Sequence, residues 1–151
     1  MNTCIEPAVP DDIDSLVVLL CTLFSIEQDF VPDAAAQRRG LEMLIANPKR
    51  GRVFVARHAG QGVVGMVSAQ LVISTAIGAP SVWIEDMVVR ETFRGMGVGK
   101  ALLDSARGWA IMNGAGRIQL LVDADNTPAL EFYRHLDWQP TQLVAWKKLL
   151  S

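Results

Sequence analysis

The chain predicts an α/β (α+β) fold, with helices flanking a mixed, mostly antiparallel sheet. Three observations predict it. Ile84 to Leu103, IEDMVVRETFRGMGVGKALL, reads as a strand, a glycine-rich turn and a helix. Arg52 to Arg57 and Val63 to Ile73 read as two strands joined through His58-Ala59-Gly60-Gln61-Gly62, a hairpin turn. The whole order, β-α-α-β-β-β-α-β-α-β-β, departs from the strict alternation of a doubly wound sheet.

Each element has its own local warrant. Cys4 to Glu6 is a short first strand. Pro10-Asp11-Asp12 is a helix start, since acidic side chains favour the positive N-terminal end. The helix that follows carries Ile13, Leu16, Val17, Leu20 and Phe24 at helical spacing. A connector from Ser25 to Pro32 leads to a second helix, about Asp33 to Ala46, which ends before Asn47-Pro48. Ser74 to Pro80 is a loop. The helix after the glycines sets Val98, Leu102, Ser105 and Trp109 on one face and stops near Asn113-Gly114. Ile118 to Val122 is a central strand, and Thr127-Pro128 opens a helix with proline in its first turn. Trp138 to Gln139 and Leu143 to Lys148 read as closing strands.

Composition bounds the function. At 151 residues the chain has the usual size of one domain, so residues 1–151 are expected to form a single unit. Half the residues are hydrophobic and a fifth charged, which is globular composition. The net charge of −2 and the lack of a basic run argue against nucleic acid as a partner. The apolar run Leu16 to Phe24 is too short to span a bilayer, and Met1 to Glu6 has no positive n-region, so a cytoplasmic protein without membrane attachment is expected. Cys4 and Cys21 suggest no disulfide framework and read as reduced core residues. With two histidines and two cysteines far apart, no metal-ligand spacing appears.

A glycine-rich turn between strand and helix is a phosphate-binding device. Glycine takes the dihedrals of a tight loop, and a helix N-terminus presents unpaired N–H groups with partial positive charge. The Walker spacing G-x-x-x-x-G-K-[ST] fails twice here: Ala101 follows Gly99-Lys100, and Arg94 stands where the first glycine belongs. The dinucleotide spacing G-x-G-x-x-G fails as well, because Gly99 comes one residue early and the loop lies past mid-chain. That disfavours an oxidoreductase. Arg94-x-x-Gly97-x-Gly99 instead resembles the [QR]-x-x-G-x-[GA] loop of the GCN5-related N-acetyltransferases. Leu121 to Tyr133, LVDADNTPALEFY, resembles that family's second cofactor motif, with Asn126 and Tyr133 at its seven-residue spacing. The likeness is specific from about Trp83 to Trp138.

The resemblance implies a fold, a cofactor and roles. The sheet would have six to seven strands, with a V-shaped splay between two parallel strands, the central strand and the Ile118 strand. Acetyl-CoA would be the co-substrate. Its pantetheine arm would pair with the backbone of Met87, Val88 and Val89, and its phosphates would lie on Arg94, Gly95, Met96, Gly97, Val98, Gly99 and Lys100, with Asn126 and Tyr133 completing the cofactor site. Direct acetyl transfer to an amine needs a neutral amine, whose ammonium form has a pKa near ~10.4, and a proton for the departing thiolate. Tyr133 is the candidate acid. Glu85 is the first candidate base, acting through a water, and Asp86 the second. Strand alternation sets these carboxylates on opposite faces unless a bulge intervenes. His135 and His58 read as surface residues at a helix end and in a turn.

Acceptor specificity in such enzymes comes from the connector after the first helix and the loop before the central strand. Here the connector offers Glu27, Asp29 and Phe30, which suit a cationic amine, and Ser74 to Ser81 offers only small residues. The expected substrate is a small primary amine. Leu121 stands where ribosomal-protein acetyltransferases of the family tend to carry Glu, which argues against a protein N-terminal acetyltransferase. Asp137 replaces the family's usual glycine and would take a left-handed turn position, which Asp tolerates. The alternatives are a non-catalytic CoA-binding or sensing domain, or an acetyltransferase of a protein or peptide amine. The last strands offer an exposed edge for a homodimer contact.

Overall fold

The computed structural model describes residues 2–26 and 31–150. They fall into two compact units, Met1–Leu121 and Val122–Ser151. The first contains β1 (Thr3–Pro7), α1 (Ile13–Ile26), α2 (Ala34–Ala46), β2 (Gly51–His58), β3 (Gly62–Ser74), β4 (Ala79–Val89), α3 (Val98–Met112) and β5 (Arg117–Leu120). The second contains α4 (Thr127–His135).

The sheet runs β1-β2-β3-β4-β5, antiparallel except for the parallel pair β4 and β5. The expected mixed, mostly antiparallel architecture is therefore present, with five strands rather than six or seven. Trp138 to Gln139 and Leu143 to Lys148 form no strand. Trp138 instead donates its N–H to Tyr133 O at 3.0 Å, closing the end of α4, and Pro140 lacks the N–H a ladder needs. Leu143, Val144 and Trp146 are strongly exposed. Their alternating pattern reads as a strand only if a neighbouring strand takes up the backbone. The Ile118 strand is likewise shorter than its apolar run, ending at Leu120.

The helical periodicity of α1 translates directly into packing. Ile13, Leu16, Val17 and Leu20 pack with Leu41 of α2 against Val53, Val55, Val63, Met66 and Val88 of the sheet. The fully buried Leu102 of α3 packs instead at Gly65, where a Cβ would lie 3.2 Å from its Cδ1. Neither cysteine is the buried core residue expected: Cys21 is half-buried and Cys4 is exposed. It sits on β1, an edge strand paired with β2 alone. His58 is not a free turn residue either. It ends β2, bonds Thr3 Oγ1 through Nδ1 at 2.8 Å and lies 4.9 Å from the Phe93 ring.

One ion network fixes the start of α1 to the sheet. Asp12 is buried in the turn before α1 and accepts from the Val9 N–H at 2.9 Å. Arg57 of β2 donates to both of its carboxylate oxygens, at 3.0 and 3.1 Å, and also reaches Glu6 on β1. Burial pushes the Asp12 carboxyl up, but the bonds from Arg57 and Val9 and the guanidinium charge outweigh it and hold the group below its ordinary value. Arg57 is raised in turn, first by Asp12 and then by Glu6.

A carboxyl depressed in the folded state stabilises the fold above its unfolded pKa of about 3.9, and that contribution is lost as pH falls through the folded value. Asp12→Asn should therefore cost about 2 kcal/mol at pH 7, below the range for a fully buried pair because Arg57 keeps Glu6 and some water. Urea melts at pH 7 and in strong acid should show the gap between variant and wild type closing. An equal gap at both would contradict the assignment.

Candidate functional site

The site begins with a mismatch of strand lengths. β5 pairs with β4 only from Ser81↔Arg117 to Ile84↔Leu120. β4 continues to Val89 with β3 on its other side, paired through Val89↔Gly65. From Glu85 onward no strand among the described residues pairs with β4 on the β5 side. Alternate N–H and C=O groups of a strand point to opposite neighbours; the Val88 carbonyl lies against Gly65 of β3, so Met87 and Val89 present their backbone groups on the other edge.

At the same place the ladder with β3 slips. Val67 pairs with Met87 and Ala69 with Ile84, so Ser68 alone faces both Glu85 and Asp86. The Asp86 N–H donates to Ser68 Oγ at 3.2 Å, and the hydroxyl donates to Asp86 Oδ2 at 3.3 Å. Ser68 is fully buried. A β-bulge restarts the alternation of faces. Beyond it Val88 faces Met66 in the α1 cluster, whereas before it Ile84 faces Ala69. Glu85 and Asp86 consequently line one cleft together, rather than opposite faces of the sheet.

That cleft has a volume of about 710 Å³. α1 contributes Leu20 and Phe24, α2 contributes Gln37, Leu41 and Leu44, and β3 contributes Gln70 and Leu71. Glu27, Asp29 and Phe30, the expected acceptor contacts, lie outside the described residues. The loop before β4 contributes no lining residue. The β3–β4 ladder runs out to Ser74↔Ala79, which leaves only a tight turn beyond it.

The glycine-rich turn follows β4. Glu91–Phe93 forms a single 3-10 turn, and Arg94 Nε donates back to Val89 O at 3.0 Å. Phe93 is buried between His58 and the Arg90 guanidinium, which bonds Val63 O and the Gln61 oxygens. Gly95 and Gly97 have φ of 74° and 83°, in the left-handed region that side chains resist. A Cβ on either would meet open space, so nothing covers the backbone there. Gly97 is the N-cap of α3, and the first engaged N–H is that of Ala101, to Gly97 O. Those of Val98, Gly99 and Lys100 precede any intrahelical acceptor and form an anion-binding terminus. Met96 is exposed on the turn. Lys100 pairs with Asp104 at 2.7 Å across an exposed helix turn, a weak surface pair that an anion can compete for.

The second unit holds the other motif. Asn126 is the N-cap of α4, its Oδ1 accepting from the Ala129 N–H at 3.2 Å, so the motif asparagine has a structural task of its own. Tyr133 is half-buried, with ring centroids 5.3 Å from Phe132 and 5.6 Å from Trp138. Asp137 takes φ 67°, the left-handed position expected of it, inside a Schellman-type cap. His135 is exposed in the last turn of α4.

Sequence reasoning missed Ser68, Phe93 and Gln37. Ser68 carried a signal, a lone hydroxyl inside the apolar run of β3. Gln37, among alanines and arginines, carried none.

The acetyltransferase (GNAT) family model matches residues 20–138. An uncharacterised N-acetyltransferase of Methanocaldococcus jannaschii is 32% identical over 69 residues, which are 45% of this chain and 30% of that protein. The match thus spans under a third of the relative's length. The crystal structure of a possible acetyltransferase from Clostridium difficile 630 superposes with a TM-score of 0.85 over 100% of this chain and 99% of that one, at 17% identity. An aminoglycoside N-acetyltransferase in complex with CoA gives 0.81 over 97% and 94%, at 18% identity. In this chain a strand edge with no described partner runs into a glycine turn and a helix N-terminus. The chain belongs to the acetyltransferase (GNAT) family.

The backbone of the turn gives a stability prediction. Gly97→Ala forces a Cβ onto a left-handed residue and should cost about 1–2 kcal/mol. Gly99 has no positive φ and lies inside α3, so Gly99→Ala should be neutral or stabilise by up to about 1 kcal/mol. Thermal melts of the two variants check the contrast, and equal losses would contradict it.

Proposed function

We propose that this chain is an acetyl-CoA-dependent N-acetyltransferase that moves an acetyl group to the primary amine of a small molecule by direct transfer with both substrates bound. The observation that carries the reading is the free edge of β4 at Met87 to Val89, continuous with the glycine turn and the start of α3. The open space at Gly95 and Gly97 fits close approach of a phosphate to the backbone. The family span, residues 20–138, crosses both compact units, which supports treating the 151 residues as one functional domain.

In this reading the Met87 and Val89 backbone pairs with the pantetheine amides. Arg94, the N–H groups from Gly95 through Met96, Gly97 and Val98 to Gly99, and Lys100 hold the phosphates, and Asn126 is a further cofactor residue. Acetyl-CoA, when bound, supplies an acyl group already activated as a thioester. Glu85, through a water, takes the proton of the ammonium so that nitrogen has a lone pair for attack, with Asp86 as the second candidate. The N–C bond forms as the C–S bond breaks, Tyr133 Oη gives its proton to the departing sulfur, and the second proton lost by the nitrogen returns through water to the Tyr133 phenolate. Holding both reactants together lowers the barrier by up to ~7–11 kcal/mol without a covalent enzyme intermediate. The neighbour of similar fold is an aminoglycoside N-acetyltransferase, which supports a small-molecule acceptor here.

The test is turnover with a panel of amines, read by thiol release. Tyr133→Phe should lower kcat by about 10²-fold or more while acetyl-CoA binding changes little. Glu85→Gln should lower kcat/KM more than Asp86→Asn. Unchanged kcat in the Phe variant would remove Tyr133 from the mechanism. Acetyl-CoA binding without turnover of any amine would leave a non-catalytic CoA-binding domain.

A further inference from the structure

Two buried side-chain nitrogens have no hydrogen-bond partner among the described residues, Gln37 Nε2 and Arg52 Nε. Arg52 borders only a pocket of about 50 Å³, whereas Gln37 lines the large cleft that also holds Glu85 and Asp86. Gln37 is 8% exposed, on the inner face of α2. The Cys21 thiol donates to its Oε1 at 3.1 Å. With the oxygen taking the thiol hydrogen, the group left over is the NH₂, which can only donate. Buried amides are normally satisfied, and an unsatisfied one in a concave site marks a place where a ligand completes the bond. Leu20, Phe24, Leu41 and Leu44 give the cleft an apolar stretch, and Asp33, Asn47 and Arg50 line it as well.

We propose that Gln37 is the specificity-determining residue for the acceptor. Its Nε2 donates to a hydroxyl or carbonyl oxygen carried by the amine substrate, at the far end of a carbon chain that lies against Leu20 and Leu41. The acceptor class is therefore an amine with a remote oxygen, rather than a simple alkylamine or a diamine. A second ammonium would face a donor and leave both groups unpaired. This inference rests on the acetyltransferase reading above. Cys21 is a positioning residue, acting on substrate only through the Gln37 amide.

The experiment uses the full chain, acetyl-CoA and linear primary amines of three to eight carbons, ending in methyl, hydroxyl, primary amide or amine. Acetyl-CoA binding is measured separately by calorimetry. Wild type should favour the hydroxyl- and amide-ended amines over the methyl-ended ones in kcat/KM, by roughly 2- to 10-fold per hydrogen bond. Gln37→Leu should erase that preference without changing acetyl-CoA affinity. Gln37→Glu, which turns the donor into an acceptor, should move the preference to the diamines, and guards against misreading a packing defect in the leucine variant. Acetyl-CoA binding and turnover with no preference in wild type would overturn this inference alone. A Gln37→Leu variant that slows all amines equally would do the same. No acetyl-CoA binding in wild type would overturn the acetyltransferase reading, and this inference with it.

Discussion

β5 stops at Leu120 while β4 runs on to Val89, and the candidate site depends on that inequality. A parallel pair held together to its end would use both edges of β4 in ladder hydrogen bonds and leave no backbone for a ligand. Here the pairing lasts four residues, Ser81 to Ile84, and beyond it no strand among the described residues pairs with β4 on the β5 side. Exposed strand edges invite pairing with other chains and are normally blunted. An edge kept open beside a glycine turn is an edge with a use.

The bulge at Ser68 sits at the same point in the ladder, and the two features act together. A strand that must bond on one side and stay open on the other needs its side chains re-aimed where the partner leaves. The extra residue does this, and the buried Ser68 hydroxyl takes up the Asp86 N–H that the slipped register would leave unpaired. The result sets two carboxylates at one cleft, next to the free edge. The following turn is held by packing. Phe93, pinned by His58 and Arg90, fixes the residues before the glycines, so that Gly95 and Gly97 can stay uncovered.

Much of this was legible in the residues, and the failures have physical reasons. Helical spacing found α1 because its apolar face is long and repeats. The glycine turn and the Asn126–Tyr133 spacing were legible because each position has a stereochemical requirement, and Asp137 took the left-handed position expected of it. The closing strands were misread because alternation in Leu143 to Lys148 describes a strand only when a partner exists. Cys4 was misread because residue type says nothing of edge position. The shared facing of Glu85 and Asp86 needed the bulge, whose register comes from β3, eighteen residues earlier for Ser68 and Asp86. Gln37 was invisible because its meaning lies in what fails to bond it.

The most direct measurement of the central claim is the melting temperature with and without saturating acetyl-CoA, with NAD as control. At about 100 times the dissociation constant, binding adds roughly 2.7 kcal/mol of stability. For a domain of this size that is a rise on the order of 5–10 °C. The account predicts that rise with acetyl-CoA and none with NAD. No rise with acetyl-CoA at any concentration, or an equal rise with NAD, would contradict it.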